Sequence, residues 1–88
     1  MMKRVHSSNV FEKDIEKLMR RNKDIEKLKS VIRSLVRGEK LDQIYRDHKL
    51  TGNYYGCRDC HMESDWLLIY KYDEETLFLI RTGTHSNL

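Results

Sequence analysis

The sequence holds four histidines, His6, His48, His61 and His85, and three of them lie in its second half, each at a loop or near a strand end. Asp65, Arg58 and Arg81 accompany them. Imidazole titrates near neutrality, so it can take or give a proton at physiological pH. A guanidinium presents a planar fork that holds two phosphate oxygens at once. These are the side-chain types needed to cut a ribose–phosphate chain without a metal ion. One group deprotonates the 2′-hydroxyl, a second protonates the departing 5′-oxygen, and cations steady the charge that builds on the phosphorane. By residue type alone, the same set also describes an ordinary solvated surface, with Arg81 as an outward strand residue. Both readings stand at this point.

Cys57-Arg58-Asp59-Cys60-His61 has the spacing of a c-type haem attachment site. Three other uses compete with it: a zinc site, a redox pair and two inert thiols. The flanks read as strand, where residues three apart point to opposite faces, so Cys57 and Cys60 are poorly placed to grip one group or each other. A zinc site would need two further ligands, and there is no second cysteine pair. Inert thiols are the expected outcome, with no cofactor and no metal. Trp66, the single tryptophan, is either a core anchor or a platform on which a base stacks, the core being favoured. Tyr54, Tyr55, Tyr70 and Tyr72 lie near basic residues, but strand aromatics are usually packing.

These side chains must be carried by regular elements. Residues 3–7 can form a short strand. Asn9 with Glu12 reads as a capping box, followed by Phe11, Ile15, Leu18 and Met19 on one helical stripe. Asn22 can cap a second helix, with Ile25, Leu28, Ile32, Leu35 and Val36 on its stripe and Gly38 as its stop. The hexapeptide Lys-Asp-Ile-Glu-Lys-Leu occurs at residues 13–18 and again at 23–28. Two copies ten residues apart mark two similar amphipathic helices, not a repeat architecture. Residues 41–45 suggest one helical turn, and 46–48 with Gly52-Asn53 suggest loop and turn. The period then changes to two over 55–62, 66–72 and 76–81. Short breaks at 63–64 and 73–75 make those strands antiparallel. The expected class is α+β: an N-terminal strand and a helical hairpin packed on a mainly antiparallel sheet of about four strands.

With 88 residues, a single domain over 1–88 is expected, with a modest core. A charged fraction of 35% beside a hydrophobic fraction of 39% suits a folded globule with a heavily charged surface. The net charge of +3 is compatible with a polyanion or an acidic protein as partner. No apolar stretch approaches the length of a membrane span, and Lys3 and Arg4 precede no apolar run. A cytoplasmic setting, with both cysteines reduced and no membrane partner, is the expectation.

Residues 47–54 (Asp-His-Lys-Leu-Thr-Gly-Asn-Tyr), 56–70 (Gly-Cys-Arg-Asp-Cys-His-Met-Glu-Ser-Asp-Trp-Leu-Leu-Ile-Tyr) and 81–88 (Arg-Thr-Gly-Thr-His-Ser-Asn-Leu) resemble, in order and spacing, the blocks of the YafQ-type toxins of the RelE superfamily. The resemblance covers most of 46–88; the helical half matches in pattern only. It implies a RelE-like fold and endoribonuclease activity on mRNA, mainly on the ribosome. It also implies neutralisation by a cognate antitoxin, and operator DNA bound only through the antitoxin complex. On that resemblance the catalytic candidates are His48, His61, Asp65, Arg81 and His85, with His85 as general acid, Arg81 on the scissile phosphate, and His48, His61 or Asp65 as base or orienter. Arg46, Lys49, Arg58 and Trp66 are the substrate-binding candidates. The alternative is a non-catalytic toxin of the same fold that binds a protein target such as a topoisomerase. The chain departs from the family pattern at Lys49 and Ser64, where proline is usual, and at Tyr55, where a basic residue is usual. The pattern also continues to a phenylalanine just beyond the position of Leu88.

Overall fold

The structure, a computed structural model, describes residues 2–88. The elements run β1 (Arg4–Ser7), α1 (Asn9–Arg20), α2 (Ile25–Val36), a 3₁₀ turn (Gln43–Tyr45), β2 (His48–Lys49), a second 3₁₀ turn (Gly52–Tyr54), β3 (Arg58–Glu63), β4 (Trp66–Tyr72), β5 (Thr76–Gly83) and a closing 3₁₀ turn (His85–Asn87). The sheet order is β1-β5-β4-β3-β2. β1 runs parallel to β5, and every other pair is antiparallel. The expected α+β layout is therefore present, with five strands where about four were read. The additional strand is β2, two exposed residues in a stretch read as loop. A two-residue strand has no alternation to detect; only its pairing with β3 defines it.

The helix ends correct two expectations. Ser8, not Asn9, caps α1: its hydroxyl accepts the Phe11 N–H at 2.9 Å and donates to the Ile80 carbonyl at 2.8 Å. One side chain thus caps a helix and ties it to β5. Asn22 does not cap α2. It sits at φ 59°, with its N–H on the Met19 carbonyl and the Lys23 N–H on the Leu18 carbonyl. That pairing is the Schellman closure of α1, in which asparagine tolerates the left-handed position. Asp24 caps α2 instead, accepting the Glu26 N–H. Gly38, at φ 73°, closes α2 as expected, with Gly38 N–H on Leu35 and Glu39 N–H on Ser34.

Both helices pack on one face of the sheet. Phe11, Leu18, Leu28, Val31 and Leu35 meet Cys60, Trp66, Leu68, Tyr70, Leu77 and Leu79 in a single core cluster. In α1 the expected stripe is only partly buried: Met19 is exposed, and a buried carboxylate, Asp14, lies between Phe11 and Leu18. Lys23 and Lys27 grip Glu63 at 2.9 and 3.1 Å, which joins the helical hairpin to the end of β3. Their hydrogen bonds, and then their charges, hold the Glu63 carboxyl below the usual carboxylate range. β3 begins at Arg58 instead of residue 55, because Gly56 at φ 90° turns the chain into the strand. No described helix is long and apolar enough to cross a membrane.

Candidate active site

Alternation along β3 separates two chemistries. Cys60 points into the core, so Asp59 and His61 lie on the face away from the helices. Registry brings His48 of β2 beside Asp59, and Ile69 of β4 and Arg81 of β5 into the same cross-strand row. His85 follows β5 and reaches back to Asp65 in the β3–β4 turn. Its backbone N–H and its Nδ1 lie 3.2 and 3.1 Å from Asp65 Oδ1. The three imidazoles form a row: ring centroids are 6.2 Å apart from His48 to His61 and 5.4 Å apart from His61 to His85.

The outer two rings are held in the same manner. His48 Nδ1 lies 2.7 Å from the Arg46 carbonyl oxygen. A carbonyl can only accept, so this nitrogen carries a proton, and in the neutral ring the lone pair lies on Nε2. Arg46 reaches this position at φ 52°, a left-handed conformation that aims its carbonyl at the ring. His85 Nδ1 donates to Asp65, which again leaves Nε2 for the substrate. The hydrogen bonds from His85 lower the pKa of Asp65 and keep it ionised. His61 sits between them, 13% exposed at its side chain.

Behind the row lies Asp59, 6% exposed. Its Oδ1 is 3.0 Å from His48 Nδ1 and 4.0 Å from His61 Nε2. Burial raises its pKa above the ordinary aspartate value, against the opposing pull of His48, His61 and His85. The His48 Nδ1–H is taken by the Arg46 carbonyl, so despite this proximity Asp59 Oδ1, like His61 Nδ1, is a buried side-chain atom without a hydrogen-bond partner among the described residues. Unpaired buried polar atoms are costly, and their concentration here fits a reacting surface better than a structural one.

Arg81 is anchored from the helical layer. β1 ends at Ser7, opposite Leu79, and α1 takes over alongside β5. Asp14 of α1, 5% exposed, accepts Arg81 Nε at 2.8 Å, Arg81 Nη2 at 3.1 Å and the Thr82 backbone N–H at 3.1 Å. This carboxylate satisfies a strand N–H that β1 is too short to reach. It also fixes the guanidinium and raises its pKa further. Asp14 takes two of the five N–H donors of the Arg81 guanidinium, and the side chain of Tyr54 also lies against it.

The structure thus brings His48, His61, His85 and Asp65 together on one face, with Arg81 two strands across from Asp59. The substrate-binding candidates separate. Trp66 is fully buried, its Nε1 donating to Thr82 Oγ1 at 3.0 Å, so it anchors the core and offers no face to a base. Arg58 belongs to the opposite side of β3. Its Nε donates to Asp47 at 2.7 Å, and Asp47 also receives the Tyr70 hydroxyl. Arg46 is exposed and acts on His48 through its carbonyl. Lys49 is exposed in β2, next in sequence to His48. Cys60 is wholly buried and its thiol pKa is raised by that burial, whereas Cys57 lies before the strand. No group of three His, Cys, Asp or Glu residues among those described is arranged to hold a metal ion.

Sequence reasoning missed Asp59 and Asp14. Asp59 stands between the two cysteines, and only the inward placement of Cys60 puts it with His61 on the other face. Asp14 had a weaker signal: a charge inside the apolar arc between Phe11 and Leu18.

Residues 3–88 match the family model for the bacterial toxin of type II toxin–antitoxin systems, YafQ. The chain is 40% identical over 85 residues to the mRNA interferase toxin YafQ of Escherichia coli strain K12, covering 96% of this chain and 92% of that protein. It is 35% identical over 90 residues to the putative toxin YafQ of Haemophilus influenzae, covering 94% and 88%. The fold superimposes on the toxin in the crystal structure of the E. coli DinJ–YafQ toxin–antitoxin complex with a TM-score of 0.92 at 38% identity, covering 100% of this chain and 98% of that one. Matched along nearly its whole length in sequence and in fold, the chain belongs to the YafQ family of type II toxins.

Proposed function

We propose that this chain, as one domain over 1–88, is an endoribonuclease toxin that cuts mRNA on the ribosome by acid–base chemistry without a metal ion, and that a cognate antitoxin silences it. The observation that carries the reading is the histidine row. His48 and His85 are both held through Nδ1, and both leave Nε2 to the substrate. His48 Nε2, with its lone pair, takes the 2′-hydroxyl proton. The 2′-oxygen then bonds to phosphorus as the bond to the 5′-oxygen breaks. His85, as an imidazolium whose Nδ1–H is held by Asp65, gives its Nε2 proton to that leaving oxygen. Arg81, steadied by Asp14, holds the phosphate with its remaining N–H groups, and His61 with Asp59 orients the row and screens its charge. A protein-binding toxin without catalysis would have no use for two imidazoles each anchored through Nδ1 with Nε2 presented outward.

The mRNA substrate is suggested by the name of the E. coli relative, and the antitoxin by the DinJ–YafQ complex. By the same likeness the pair would act in the cytoplasm and bind operator DNA through the antitoxin. The test is mapping of RNA ends after purified protein is added to a translating extract. Discrete cuts are expected, and they should disappear with His85→Ala and with His48→Ala. Cuts that persist at full rate in both folded variants would overturn the assignment.

A further inference from the structure

A groove of about 420 Å³ opens at the end of the sheet where the chain enters β3. Lys49, Arg58 and Lys71 bring positive charge to it, Tyr55 and Tyr72 bring aromatic surface, and no acidic side chain lines it. It opens onto the face of the histidine row through Lys71, two residues on from Ile69 in β4, while Lys49 and Arg58 pair on the opposite face. Cys57 and His61 are four residue steps apart, about 13 Å at the usual strand rise.

Tyr55 is the unusual member. It is 84% exposed, more than any other large apolar residue described. The other aromatic rings near the groove have ring or cation partners, although Tyr72 is 55% exposed. Tyr72 stacks on Tyr70 at 6.4 Å and carries the Lys3 ammonium at 5.2 Å. Phe78 meets His6 at 5.8 Å and carries Lys71 at 5.5 Å. Among the described residues, Tyr55 has no such aromatic or cationic neighbour. Its backbone is nonetheless fixed: the Tyr55 N–H bonds the Gly52 carbonyl, the Cys57 N–H bonds the Tyr54 carbonyl, and the Leu50 N–H bonds the Cys57 carbonyl. A ring presented bare on a rigid turn, between two lysines, has the form of a stacking platform for single-stranded nucleic acid.

Resting on the ribonuclease reading above, we propose that this groove is a subsite for the RNA strand beside the cut, with Tyr55 stacking on a base and Lys49 and Lys71 taking the flanking phosphates. The occupant is RNA, not an acidic peptide, because the groove joins the reacting face and pairs its cations with a free aromatic surface. Base–aromatic stacking contributes roughly 1–3 kcal/mol per base, so loss of the ring should weaken binding at least fivefold. Each lysine contact adds about 0.7 to the salt dependence of binding to a single strand.

The experiment uses ribosomes programmed with mRNA, together with a matching mRNA blocked by 2′-O-methylation so that it binds without being cut. Tyr55→Ala should raise the half-saturating toxin concentration fivefold or more and leave the limiting cutting rate near wild type. Tyr55→Phe should stay within about twofold, and Lys71→Ala should reduce the salt dependence. Wild-type half-saturation in Tyr55→Ala, while the parent protein cuts normally, overturns the subsite and leaves the ribonuclease reading intact. Unchanged RNA binding with weakened capture of an acidic antitoxin segment also overturns it and assigns the groove to that partner. If the parent protein neither binds nor cuts, the ribonuclease reading itself falls.

Discussion

The hexapeptide Lys-Asp-Ile-Glu-Lys-Leu serves two different purposes in its two copies. In the first, Asp14 lies within α1, is buried, and holds Arg81 and the edge of β5. In the second, Asp24 is exposed and caps α2 through the Glu26 N–H. The leucine of each copy is buried alike: Leu18 at 2% and Leu28 at 1%. Apolar positions therefore keep one role wherever the pattern recurs, because burial depends on periodicity. The aspartates diverge because a carboxylate's role depends on which donors the surrounding chain leaves unpaired. Ten residues of displacement change those donors from a helix start to a strand edge and a guanidinium.

Asp14→Ala should break this comparison most severely. Removing one partner of a buried ion pair should cost about 3 kcal/mol in urea unfolding. RNA cutting per folded molecule should fall at least tenfold as Arg81 loses its orientation. Asp14→Glu, which keeps the charge, should recover part of the cutting rate; equal loss in both variants would reduce Asp14 to a packing role. Asp24→Ala removes only a cap and should cost about 1 kcal/mol, with cutting per folded molecule unchanged. The caps at the start of α1 sharpen the same point. Ser8→Ala should cost about 1 kcal/mol, whereas Asn9→Ala should change stability by less than about 0.5 kcal/mol, measured by the same unfolding curves.

The smallest effect concerns a third aspartate. Burial raises the pKa of Asp59 in the folded state, with His48, His61 and His85 opposing. Its contribution to stability is therefore complete below the unfolded aspartate pKa of about 3.9 and is lost as pH rises through the higher folded value. At pH 7 the ionised carboxylate weakens the fold. Asp59→Asn should melt slightly higher than wild type at pH 7, with the difference vanishing below about pH 4, while cutting declines. A variant that melts lower at pH 7 would show that the histidines, not burial, dominate this carboxylate.

Much of this architecture is readable from residue pattern. β4 was located to the residue, and the helical hairpin, the meander and the Gly38 stop all follow from periods and turn chemistry. What escaped depended on tertiary partners. β2 exists only as a pairing with β3, Asn22 closes α1 and does not open α2, and Ser8 wins the cap because it can also reach Ile80. In the candidate site, residue type alone leaves His48, His61, His85 and Asp65 open between a reacting set and a solvated surface, and it is the family resemblance that singles them out. Asp59 and Asp14 are not singled out, since nothing local distinguishes a buried carboxylate from a solvated one. Trp66 was ambiguous for the opposite reason: its type suits both a core and a base, and only its burial decides.

The most direct test of the central claim, that the histidine row cuts RNA through the 2′-oxygen without a metal ion, is the chemistry of the ends it leaves. RNA cut by the purified protein on programmed ribosomes, with excess divalent metal chelated only after the ribosomes are assembled, should carry 2′,3′-cyclic or 3′-phosphates on one fragment and 5′-hydroxyls on the other. Fragments with 3′-hydroxyl and 5′-phosphate ends would mean that water, not the ribose, attacks phosphorus, and would contradict the roles given to His48 and His85.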